Sequence, residues 1–116
     1  MEKYIKNFPP EEAVSLAGQI DILEGQVVSK TLAQNKYVSV TLFGFAAGEE
    51  ISTHDSIGDA FVTVIEGTGR YVVDGKEHMV SAGQSLLMPA KKPHSVHALA
   101  DSGFKMLLVV VFPLEQ

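Results

Sequence analysis

From Gln26 onward the chain is a succession of short runs rich in β-branched and aromatic residues, broken about every ten residues by glycine, proline or an Asp-Gly pair. The runs are Gln26 to Leu32, Tyr37 to Phe45, Ala60 to Ile65, Arg70 to Val73, Lys76 to Val80, Ser85 to Met88, His94 to Leu99 and Phe104 to Phe112. No helix-period segment of useful length competes with them, so a sandwich or barrel of antiparallel strands is expected. Asp74-Gly75 is the clearest hairpin signal, because both positions tolerate positive φ. One short helical turn is predicted near the N-terminus. Pro9-Pro10-Glu11-Glu12 opens it, Ala13 to Ala17 continues it, and Gly18 ends it.

At 116 residues, 46% of them hydrophobic, the chain is expected to form a single domain with a real core. The formal charge of −5 and the scattered basic residues exclude the basic footprint of a nucleic-acid binder. The absence of cysteine excludes disulfides, zinc-thiolate sites and a cysteine nucleophile. Residues 1–6 lack the apolar run of a signal peptide. The most apolar stretch, Met106 to Phe112, is too short to span a bilayer. A cytoplasmic protein with no membrane partner is the expectation. Ala60 to Ile65 and Met106 to Phe112 are apolar on both faces, and a strand of that kind must be covered twice. The second cover predicts a homodimer.

Two histidines forty residues apart carry the chemistry. His54 lies in a run that begins at Gly48 and continues to Gly67, and His94 in one that begins at Gly83 and passes Pro89. Imidazole is the commonest metal ligand and exchanges protons near neutral pH. Side chains alternate along a regular strand. If His54 points inward, Ser56 follows it and Asp55 points away, unless the segment from Asp55 to Asp59 is a loop that lets either acid swing in. If His94 points inward, Val96 and Ala98 follow and His97 faces outward. His97 and His78 are expected on the surface. Phe43, Phe45, Phe61, Met88 and Met106 read as core, and some of them could wall a pocket. No Gly-x-Ser-x-Gly and no phosphate-binding loop is present.

These two runs resemble the paired motifs of the cupin superfamily, G-x5-H-x-H-x3,4-E-x6-G and G-x5-P-x-G-x2-H-x3-N. Gly48, His54 and Gly67 match the first motif. Gly83, Pro89 and His94 match the second, with fifteen residues between the motifs. The resemblance covers roughly residues 36–112 and implies a cupin-like antiparallel β-barrel, or jelly roll. It also departs from the pattern: Ser56 stands at the second histidine, Ala60 at the glutamate, Lys91 at the glycine and Ala98 at the asparagine. Of the four metal ligands that the resemblance implies, only His54 and His94 remain.

Two functions follow as expectations. The first is a small-molecule pocket lined by His54, Ser56, Ala60, His94 and Met106. The second is a metal-dependent enzyme of the dioxygenase, isomerase or decarboxylase type that the resemblance implies. In it His54 and His94 would hold a divalent ion (nickel, zinc, copper, iron or manganese) weakly, with waters completing the shell. A purely structural module would instead need the space between the imidazoles to be filled.

Overall fold

The computed structural model describes residues 4–114. Among the described residues nine strands form: β1 (Val27–Gln34), β2 (Val38–Phe45), β3 (Glu50–His54), β4 (Asp59–Glu66), β5 (Thr68–Val73), β6 (Lys76–Ser81), β7 (Ser85–Met88), β8 (His94–Ala98) and β9 (Phe104–Val111). They assemble into a five-stranded sheet, β1-β2-β9-β4-β7, and a four-stranded sheet, β3-β8-β5-β6. Every pairing is antiparallel. The predicted strands are all present, and the run containing His54 adds β3. At the β5–β6 hairpin Asp74 and Gly75 adopt φ of 50° and 80°, which these residue types tolerate.

Alternation along each strand sends one set of side chains between the sheets. On β4 these are Ala60, Val62 and Val64, and on β9 Phe104, Met106 and Val110, all buried. Phe45 stacks on Phe104 with ring centroids 4.6 Å apart. Tyr71 closes this core by donating its hydroxyl to the Met106 sulfur at 3.0 Å. Burial pushes that phenol well above its ordinary pKa.

The outward set is covered only in part. Phe8, Leu16 and Ile20, from the irregular segment before β1, pack on Leu32, Leu42 and Leu107 on the outside of the larger sheet. Side-chain amines hold this strap down: Lys105 donates to the Ala17 carbonyl at 2.7 Å and Lys30 to the Gln19 carbonyl at 3.0 Å. The strap crosses β2 at Gly44, where a Cβ would stand 2.2 Å from the Asp21 carbonyl oxygen, so only glycine fits.

Two expectations are corrected here. The helical turn is a 3-10 turn at Ala17–Gln19, later than predicted, and Gly18 lies inside it rather than ending it. The Ser15 hydroxyl accepts the Gly18 N–H at 3.3 Å and opens the turn at this point. Phe61, read as core, lies on the outward face of β4 and is 45% exposed. It is flanked by Leu87 and Val109 on the neighbouring strands, beyond the reach of the strap.

Candidate functional site

The β3–β8 strand pair holds the two histidines. Ile51 is opposite Val96 and His54 opposite His94, so β3 carries one extra residue between these pairs. This bulge places Ile51 and His54 toward the same interior space. There the two imidazoles meet edge to face, with ring centroids 4.4 Å apart and planes at 68°. His54 stands on the exposed side, whereas His94 is 4% exposed.

Each ring is oriented by a backbone carbonyl two residues earlier. Nδ1 of His54 is 2.8 Å from the Ser52 oxygen, and Nδ1 of His94 is 3.1 Å from the Lys92 oxygen. A carbonyl only accepts, so each Nδ1 carries the proton and each Nε2 presents a lone pair. Burial holds the His94 pKa below the ordinary imidazole value, and the neighbouring His54 adds to that depression. The Lys92 carbonyl and the Asp55 carboxylate act in the opposite direction.

A cavity of about 270 Å³ adjoins the pair between the two sheets. His54, Ser56, Ala60, His94 and Met106 all line it, and Phe43, Met88 and Leu108 supply apolar wall. Asp55 lines it as well, contrary to the alternation expected of a regular strand. β3 ends at His54, and the following loop frees Asp55 from strand parity. Asp59 does not turn in. Its carboxylate accepts the Ala90 N–H at 2.8 Å, on the far side of the loop.

The donor set decides what a metal would find. Two imidazole nitrogens are available. The Ser56 oxygen accepts the Gly58 N–H at 3.1 Å, and Ala60 offers a methyl group. Among the described residues no group of three His, Cys, Asp or Glu side chains is placed to hold an ion. These residues do not fit a tightly held catalytic metal, which needs three or four protein ligands.

The remaining histidines lie elsewhere. His97 faces outward as expected but is half-buried, not exposed. Its Nε2 is 2.8 Å from the Ser95 hydroxyl, and its Nδ1 is 3.5 Å from the Glu50 carboxylate. Strand register brings Glu50 beside His97, a proximity that sequence spacing does not show. Ser95 is only 5% exposed, and neither it nor His97 lines the cavity, so these contacts belong to the outer face of the smaller sheet. His78, on the edge strand β6, is half-buried opposite Tyr71.

Residues 41–111 match the cupin domain family. A conserved protein of unknown function from Streptococcus pyogenes is 37% identical, with a TM-score of 0.91, over 97% of this chain and 96% of that one. A cupin superfamily protein from Desulfitobacterium hafniense is 32% identical, with a TM-score of 0.88, over 94% of this chain and 98% of that one. A cupin 2 conserved barrel domain protein from Leptotrichia buccalis is 43% identical, with a TM-score of 0.80, over 83% of this chain and 46% of that one. No protein of curated description matches. With three motif glycines, the motif proline and the facing histidines set in two antiparallel sheets, this chain belongs to the cupin family.

Proposed function

We propose that this cupin barrel binds a small molecule between its sheets, with His54 and His94 as polar anchors. The observation that carries this reading is the pair of imidazoles, each with Nε2 unbonded, on a cavity whose walls are otherwise mainly apolar. Such a setting, apolar walls with a few convergent polar groups, is the usual composition of a ligand site. The volume of about 270 Å³ lies just below the range of drug-sized pockets, so the ligand is small. A purely structural role would leave no reason for a cavity at this place.

The test is a fragment screen followed by two-dimensional NMR, with the methyl signals of Met88 and Met106 as reporters. His54→Ala and His94→Ala should keep the fold, as judged by circular dichroism, and weaken binding. A cavity ligand bound equally well by both variants would end the reading.

A weakly held divalent ion is the second reading, favoured by the close approach of the two rings. Calorimetric titration of untagged protein with a divalent ion checks it: no uptake, or uptake unchanged in His54→Ala, excludes the ion. We also propose a homodimer through the outer face of the larger sheet. There Leu87, Phe61 and Val109 form one row across three strands, β7, β4 and β9.

A further inference from the structure

We propose that the cavity selects a neutral molecule of single-ring size that carries a hydroxyl group, with the hydroxyl proton donated to the Nε2 lone pairs of His54 and His94. This inference rests on the ligand-pocket reading above and assigns its chemistry.

The polarity of the site follows from what its backbone has already used. Both Nδ1–H groups are spent on the Ser52 and Lys92 carbonyls. What remains on each neutral ring is an acceptor. His94 is 4% exposed and its Nε2 has no hydrogen-bond partner among the described residues. Yet among the described residues no buried side-chain nitrogen or oxygen is left unpartnered. That nitrogen therefore meets the open space of the cavity, not packed carbon. His54 lines the same cavity and its ring offers a second acceptor, and an acceptor on an apolar cavity calls for a donor.

The other polar groups narrow the choice. The Ser56 oxygen accepts from the Gly58 N–H, so the Ser56 hydroxyl proton is free to be donated. A ligand hydroxyl can donate to an imidazole and accept from Ser56, which an ammonium group cannot do. The Asp55 carboxylate on the cavity lining disfavours an anion. Phe43, Ile51, Ala60, Met88, Val96 and Met106 give the ligand body only carbon and sulfur to touch, so a charged body would lose its hydration without return. An apolar cavity of about 150 Å³ accommodates benzene. The present volume of about 270 Å³ leaves room for one ring, its hydroxyl and a short substituent.

The experiment titrates the full chain with four millimolar probes of nearly equal shape, followed by amide and methyl NMR shifts. These are toluene, 4-methylanisole, p-cresol and 4-methylbenzoate. The expected result is p-cresol binding about tenfold more tightly than 4-methylanisole, whose oxygen has lost its proton. 4-Methylbenzoate should bind most weakly of the oxygen-bearing probes. His54→Ala and His94→Ala should each shrink the preference for p-cresol over 4-methylanisole while toluene binding persists. His54 is exposed, so its variant keeps the test valid if His94→Ala fails to fold. Equal binding of p-cresol and 4-methylanisole, or a preference unchanged in His54→Ala, would overturn the hydroxyl assignment and leave the pocket reading standing. No shift of cavity signals with any probe would overturn both.

Discussion

Ile51 and His54 are three residues apart on one strand, yet both line the same cavity. In a regular strand residues at that spacing face opposite sides. The single extra residue in β3, between the pairs Ile51–Val96 and His54–His94, reverses the alternation and turns the imidazole inward. Four expected outcomes follow from this site and its surroundings.

Lys91 occupies the second motif's glycine position with φ of 66°, a left-handed conformation that costs an L-residue about 1–2 kcal/mol. It is held there because its N–H donates to the Ser56 carbonyl at 2.7 Å, tying the proline loop to the cavity loop. Lys91→Gly should stabilise the protein by about 1 kcal/mol and Lys91→Val should destabilise it by at least as much. Urea midpoints check both, and a destabilised glycine variant would contradict the strain.

His94 has its pKa lowered in the folded state. Above the unfolded value of about 6.5 both states are neutral, and its contribution to stability is complete. As pH falls through that value and on through the lower folded one, the unfolded chain binds the proton first. Stability is therefore lost on acidification across this window. The urea midpoint should fall between neutral and mildly acidic pH, and less steeply in His94→Gln. Identical slopes in the two proteins would refute the assignment to His94.

Ser56 and Ala60 line the cavity at the two vacated ligand positions. The double variant Ser56→His, Ala60→Glu restores a three-histidine, one-carboxylate set, which suits a divalent transition ion. It should retain stoichiometric metal through dialysis, whereas the parent chain should not. Equal metal content by elemental analysis would show that the two positions do not converge with the histidines.

Phe61, Leu87 and Val111 are 45%, 52% and 56% exposed on the outer face of the larger sheet, outside the cover of the N-terminal strap. A twofold dimer needs one self-complementary patch, and an exposed apolar row across paired strands can serve as one. The native chain should sediment as a dimer and Phe61→Lys as a monomer with unchanged circular dichroism. A monomeric native chain at micromolar concentration would end the dimer proposal.

The strands, the Asp74-Gly75 hairpin and the pairing of the two glycine-framed histidine runs were legible in the sequence, because strand propensity and turn chemistry are local properties. Motif register singled out Ser56 and Ala60, and apolar character singled out Met106; all three line the cavity. Asp55 and Phe61 were not. Whether a loop side chain turns in, and which face of a two-sided apolar strand is covered, depends on neighbours distant in the chain. The strap over Gly44, the extra residue in β3 and the contact between Glu50 and His97 arise only when sheets pack and strands register. Local residue preferences chose the elements; long-range packing chose their facing, and with it the polarity of the site.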